Sequence, residues 1–473
     1  MMTRAACVCF FLASLAAALF VAGCGSGSSG SSNQMASVAT TVSDPATCGP
    51  PQGPFSHVYV TITDVKIHQT ANAGPGDAGW VDLTPSLTNS PKQVDLLGIA
   101  SNQCFLATLG SATEIQPGSY QQIRVFLAAD GSTVAGNRCG SAANCVMLTS
   151  DPSNTPYPIK LSSESETGIK IPSGQIAGGK FQVAAGDVKD LNIDFNACES
   201  IVVQGNGKYR LKPVLHGAEA GLTSASIQGT AVDGSTGVAI VGGNAVVVLE
   251  KNDGTGVDRV IMETVTDTNG RFVFCPVPSG TYDVVISAIN GAGTAYAATV
   301  ITGVQPGNSL GQVPLTAAAA PASITGQITT STGSAGTTAD LSLSALQPIT
   351  ENGITVLITT PLAQQSAATA TLTTAANGSC PPNTDCASYT VSVPALNPSV
   401  GVFSTSGNQT PAPPAGGAVD YTMYAVAFIP GSGGTLDCNP SELQTSQTST
   451  NAPLAVSAGN SLAAANLAFT SCQ

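Results

Sequence analysis

Thirteen cysteines, three histidines and one tryptophan carry most of the distinctive side-chain chemistry in this 473-residue chain. Cys7 and Cys9 lie in an apolar run near the N-terminus, and Cys24 closes that run behind Val21, Ala22 and Gly23. Ten cysteines follow, an even number that in an exported chain indicates disulfides. Cys139 and Cys145 enclose five polar or small residues, as do Cys380 and Cys386, and each pair reads as a local loop staple. Zinc is the competing chemistry, but neither pair is CxxC and no histidine lies nearby. Cys438 with Cys472 makes a third pair. The pairing of Cys48, Cys104, Cys198 and Cys275 stays open.

Nucleophilic catalysis has one candidate. Gly307-Asn308-Ser309-Leu310-Gly311 matches the G-x-S-x-G serine-hydrolase pattern, which needs a following helix and a later histidine. Gln312-Val313-Pro314-Leu315 reads as a strand instead, and the last histidine is His216. Asp267-Thr268-Asn269-Gly270 resembles part of a calcium loop without the later ligands, so it reads as a hairpin turn. His57 and His68 flank one extended segment, and no spacing brings them to His216. Glu114 and Asp194 could act as acid and base only if the fold joined them; Asp194 should point away from Ile193 and Phe195, to solvent or a polar inter-strand site. Trp80, the only tryptophan, is the one candidate ligand contact, able to stack on a sugar ring or to anchor a domain edge. No catalytic residue, metal site or cofactor is assigned.

The elements that must hold these residues are strands. Charged residues make up 9% of the chain, too few for solvent-facing helices, while Thr and Val suit strands and Gly, Asn, Asp and Pro suit turns. An all-β fold of tandem β-sandwich domains follows. Fifteen Lys and Arg against 28 Asp and Glu form no basic stripe, which argues against nucleic acid as a partner. Residues 24–47, opening with Gly25-Ser26-Gly27-Ser28-Ser29-Gly30, read as a flexible tether. A first domain spans 48–218. In it Val58, Val60 and Ile62 alternate with polar residues and Val65 and Ile67 continue at a shifted phase, the mark of a bulge or bend. Tyr209 to Leu215 reads as one late strand. A second domain spans 222–317 and a third 321–473, with Thr410-Pro411-Ala412-Pro413-Pro414 as a loop in the third.

Arg4, the apolar stretch Ala5 to Phe20, and Leu19-Phe20-Val21-Ala22-Gly23-Cys24 resemble the signal and lipobox of bacterial lipoproteins. The resemblance implies a signal peptide over 1–23, removed before Cys24, and a diacylglycerol on the Cys24 thiol. Gly25 in place of aspartate favours the outer membrane under the enteric-type Gram-negative sorting rule. The opening Val-x-Ile-x-x-Val-x-Ile stretch, Trp80, Val94-Asp95-Leu96-Leu97, Pro117 to Arg124, Gly168-Ile169-Lys170-Ile171, Ile193-Asp194-Phe195 and Leu211-Lys212-Pro213-Val214-Leu215 together resemble domain-of-unknown-function family 4382 over about 50–216. That family brings no catalytic residues. Ala225 to Thr230, Asp267-Thr268-Asn269-Gly270-Arg271-Phe272 and Pro278-Ser279-Gly280-Thr281-Tyr282 resemble the carboxypeptidase regulatory-like module, a non-catalytic transthyretin-like sandwich. Ala322-Ser323-Ile324-Thr325-Gly326 mirrors Ala225-Ser226-Ile227-Gln228-Gly229, and Gly459-Asn460-Ser461-Leu462 mirrors Gly307-Asn308-Ser309-Leu310, so the third domain reads as an enlarged copy of the second. The expected role is that of a lipid-anchored, disulfide-stapled cell-envelope protein, structural or binding rather than enzymatic. Its expected partners are the membrane through its lipid and a cell-surface protein or polysaccharide. The alternatives are a polymer-binding accessory lipoprotein and a hydrolase whose site the sequence does not reveal.

Overall fold

β-branched residues in alternation, broken by glycine turns, put nearly every described element of this chain into strands. The computed structural model describes residues 34–44, 54–99, 107–162, 164–176, 179–203, 208–220, 226–274, 277, 280–318, 320–331, 336, 339–351, 353–365, 367–428, 438, 440, 442–445 and 453–472. The signal segment 1–23, Cys24, the start of the tether, Cys48, Cys104 and Cys275 lie outside them, as does the side chain of Cys198. No helix among the described residues is long and apolar enough to cross a membrane.

Phe55–His68 is the spine of the first sandwich. Val58, Val60 and Ile62 are buried; the register to Gln122–Leu127 then shifts between Ile62 and Asp64, and Val65 and Ile67 are buried at the new phase. A bulge therefore stands where the sequence changes phase. The sheet runs Ile169–Pro172, Gln122–Leu127, Phe55–His68, Cys145–Leu148, Tyr157–Lys160, Tyr209–Leu211, Ile201–Val203, with Val81–Asp82 and Lys92–Asp95 also on Phe55–His68. The facing sheet runs Leu215–Ala220, Val188–Phe195, Ala36–Ser43, Ala107–Thr108, with Thr113–Ile115 on the same strand as the last.

Two expectations about this sandwich are corrected. The tether does not reach residue 47, because Ala36–Ser43 is a strand parallel to Val188–Phe195. Ala36, Val38 and Val42 are fully buried, and small β-prone residues beside a Gly/Ser run had the composition of a linker but the period of a strand. Nor is Tyr209 to Leu215 one strand. Tyr209–Leu211 pairs in the larger sheet and Leu215–Ala220 in the smaller, separated by Pro213, which has no N–H to give a ladder.

The second sandwich sets Arg271–Phe274, Ile227–Asp233, Ser309–Leu315 against Asp258–Val265, Ala245–Asn252, Tyr282–Ile289, Ala295–Val304. Ala245, Val246, Val247, Val248 and Leu249 are all fully buried. Ala245, Val247 and Leu249 face the sandwich's own core, whereas Val246 and Val248 pack with Ile349, Val356, Ile358 and Ala368 of the third. A sheet covered on both faces needs a continuous apolar run, not alternation.

The third sandwich sets Asp385–Val393, Ala322–Thr330 and Ser461–Ala463 against Ile354–Thr360, Asp340–Glu351, Val419–Phe428 and Glu442–Gln444. Its boundary is also corrected, since it is not self-contained over 321–473. Ser399–Val402 leaves it to extend the second sandwich's sheet, parallel to Ala295–Val304. The 409–415 loop then covers that edge, Ala412 N–H donating to Val400 O at 2.9 Å. Residues 34–473 form one compact unit.

Candidate functional site

The residues singled out for chemistry are mostly used up by local structure. Ser309 is exposed and opens a strand rather than a helix, so the G-x-S-x-G segment is a turn entering Ser309–Leu315. The Asp267 carboxylate accepts N–H bonds from Asn269 at 2.7 Å and Arg271 at 2.9 Å, closing the hairpin turn. Gly270 sits at φ +75°, where a Cβ would meet Ala239 Cβ at 2.9 Å. Among the described residues no group of three or more His, Cys, Asp or Glu side chains is placed to hold a metal ion.

The histidines stay apart. His57 pairs through Nδ1 with Asp95 at 2.7 Å and stacks on Tyr59. His68, eleven residues along the same strand and so roughly 36 Å away, accepts Thr70 N–H at Nδ1 and donates from Nε2 to Ala78 O at 3.1 Å. Desolvation pushes His216 down to about 4. Asp194 occupies the polar inter-strand site, accepting from Ser43 Oγ at 3.0 Å, while Glu114 lies opposite Ser37 in another register. Trp80 is half-buried; its indole N–H donates to Gly74 O at 2.8 Å, and it packs against His68 and the Arg124 guanidinium.

Three disulfides join Cys139 to Cys145, Cys380 to Cys386 and Cys438 to Cys472. Gln93 fixes the first loop, its amide donating to Asn137 Oδ1 and Ala143 O while its Oε1 accepts Arg138 N–H at 2.8 Å. Beside it lies a depression of about 350 Å³ lined by Ser86, Leu87, Lys92 and Gln93, with the Lys92 ammonium committed to Thr108 O.

What the sequence reading missed is the chemistry between sandwiches. Arg210, in the first, forks onto both oxygens of Asp340 in the third, with one N–H···O at 2.7 Å and the Asp340 side chain fully buried. Lys212 Nζ donates to Leu341 O at 2.8 Å and Ser342 Oγ at 3.0 Å. Glu263, in the second sandwich, accepts from Asn196 Nδ2 of the first and from Ala368 N–H of the third at 2.7 Å, tying all three together. Burial, then the charges of Asp194 and Glu263, holds nearby Asp44 well above the usual carboxylate range against the opposing Ala197 N–H bond.

Between the second and third sandwiches the seam is acidic. Glu250 is fully buried and accepts Thr359 N–H at 3.2 Å through Oε2, and among the described residues Oε1 has no hydrogen-bond partner. Burial, followed by the Asp258 charge, pushes its carboxyl well above the usual range. At the rim, Arg259 lies 4.5 Å over the Tyr424 ring and pairs with Asp253 at 2.9 Å and Glu442 at 3.5 Å. A usable signal was present: in a chain this poor in charge, Arg210, Lys212, Glu250 and Glu263 all stand inside or beside apolar strands.

Residues 35–213 match the family described as Domain of unknown function (DUF4382). No curated protein matches the sequence. Among solved structures, the Bacillus anthracis TIE protein is 11% identical at a TM-score of 0.17, over 93% of this chain and 51% of that one, so the chain spans about half that protein's length. The shaft pilin SpaA from Lactobacillus rhamnosus GG is 13% identical at 0.17, over 60% of this chain and 97% of the pilin. The Streptococcal ancillary pilin is 9% identical at 0.16, over 91% and 98% respectively.

Proposed function

We propose that this chain is a lipid-anchored cell-envelope protein, attached through Cys24, whose work is structural or binding and not catalytic. The observation that carries the reading is the way the sandwiches are joined. A shared sheet, the buried Arg210–Asp340 pair and the three-way Glu263 contact make one stiff body of what the sequence divides into three. A body of this kind suits holding or presenting something at a distance from a membrane. The three disulfides support an oxidising compartment outside the cytosol. The order Ile227–Asp233, the Asp267–Gly270 turn, Arg271–Phe274 and Tyr282–Ile289 supports a carboxypeptidase regulatory-like module in the second sandwich.

The anchor is tested by mass spectrometry of the mature N-terminus and by fractionation of cells expressing Cys24→Ala. A diacylglycerol-modified Cys24, with the variant lost from the membrane fraction, is the expected result. An unmodified Cys24 on membrane-bound protein would remove the anchor from the proposal. In a Gram-negative host, sucrose-gradient separation should place the protein with outer-membrane markers, given Gly25.

A further inference from the structure

Arg124 is the most unusual cation in the molecule. It stands in a chain of net charge −13 and its side chain is fully buried. Register places it between Lys66 and Lys170 on three adjacent strands, one row on one face of the larger sheet. Lys66 has Asp64 at 2.9 Å. Arg124 has no carboxylate within ion-pair distance among the described residues. Its terminal nitrogens donate to backbone carbonyls, Nη1 to Thr167 O at 2.6 Å and Nη2 to Ala73 O at 3.4 Å, and its Nε–H has no acceptor. Two residues back on the same face, fully buried Gln122 donates its amide to Ala73 O at 3.1 Å and leaves Oε1 without a donor.

A buried guanidinium without a counter-charge is strongly unfavourable, and a buried amide oxygen left unbonded adds to that. Over these groups lie Trp80, 5.5 Å from the guanidinium, and the 69–79 loop, which is mostly exposed around the buried Ala73 and is held by Gly74 N–H to Asp77 and by Trp80 Nε1–H to Gly74 O.

We propose that Arg124, Gln122 and Trp80 form a binding site for a hydroxy-carboxylate, the acid end of a uronic-acid sugar. The Nε–H calls for an oxyanion. Gln122 Oε1 calls for a hydroxyl donor beside it, since the two side chains leave the strand roughly 7 Å apart. A carboxylate with a neighbouring ring hydroxyl supplies both. The site goes beyond the structural role proposed above and does not depend on the lipid anchor.

Trp80 is the sole tryptophan, so its emission reports on this site alone. The full-length protein is titrated with D-galacturonate, its methyl ester, glucose, acetate, sulfate and oligogalacturonate. A saturable emission change with galacturonate, at least tenfold weaker with the methyl ester, glucose and acetate, is the expected result. Oligogalacturonate binding no tighter than the monomer assigns the free acid as ligand, and tighter binding assigns the polymer end. Arg124→Gln should abolish the change while keeping a cooperative melt. The ligand series needs no variant, so it decides the matter even if that substitution prevents folding. No saturable change up to tens of millimolar, or an equal one with glucose, the methyl ester or sulfate, overturns the proposal and leaves Arg124 a structural residue bridged by water.

Discussion

The third sandwich meets its two neighbours through opposite electrostatics. Against the first it sets Asp340 under the Arg210 guanidinium, so a cation and an anion leave water together. Against the second it sets the Thr359 backbone on Glu250, whose carboxyl is raised by burial and by the charges of the acids Asp258 and Asp283. Lys251 follows Glu250 but lies over Tyr282, and Ile354–Thr360, the facing strand, contains no charged residue. The first seam is thus held by charge, and the second is held by apolar packing in spite of it. Val246, Val248, Val285 and Val300 against Ile349, Val356 and Ile358 supply that packing. A charged seam fails when one partner is removed, whereas an acidic one improves when it is neutralised.

The comparison breaks most visibly at Arg210. Arg210→Ala strands the buried Asp340 carboxylate and should cost about 3–5 kcal/mol in urea unfolding. A loss below about 1 kcal/mol would mean the pair is not buried in solution. Replacing both members, Arg210→Met with Asp340→Leu, should recover most of that loss, because the desolvation penalty goes with the pair. Failure to recover would mean that the pair's own hydrogen-bond geometry, beyond the Lys212 bonds to Leu341 O and Ser342 Oγ, holds the seam.

The acidic seam is sharpened by pH. The native carboxyl of Glu250 titrates above its ordinary value near 4.5, so its contribution to stability is fully present below that value. It is lost as pH rises through the native one. Glu250→Gln should therefore stabilise the protein at neutral pH and above, and flatten the alkaline side of the stability curve. His216 has the opposite slope: its native value is lowered from 6.5 to about 4, and its contribution is lost as pH falls through that interval. The difference between wild type and Glu250→Gln isolates the glutamate, and identical pH profiles would count against a desolvated Glu250. The smallest effect belongs to the rim, where Arg259→Ala should cost about 0.5–1 kcal/mol and respond to salt. A larger, salt-independent loss would make Arg259 part of the buried seam.

The second and third sandwiches show how far the sequence could be read. In each, the first strand pairs in parallel with a late one, Ile227–Asp233 with Ser309–Leu315 and Ala322–Thr330 with Ser461–Ala463, and the similar segments meet at the start of those pairs. Gln228 N–H donates to Asn308 O in one, and Ser323 N–H to Asn460 O in the other. Relative to the matched sequences, the second contact is slipped by two residues, which keeps every side chain on its face. That slip could not be seen in the sequence, because period two is blind to it. The bulge at Ile62–Asp64 could be seen, because a one-residue insertion changes phase. Ala36–Ser43 is hard to tell from the linker before it, because the two share a small-residue composition.

By itself, the sequence determined the all-β class, the main strand phases, the Asn269–Gly270 turn and the spacing of Cys139 with Cys145 and Cys380 with Cys386. These are local properties, set by alternation, by the conformational range of glycine and by short loop lengths. Only the tertiary structure decided that Ser399–Val402 belongs to a neighbour's sheet, that Arg210 finds Asp340 across 130 residues, and that Glu250 is buried beside Asp258. Those outcomes depend on which surfaces meet. A side chain's type records its need for a partner but not where along the chain that partner lies.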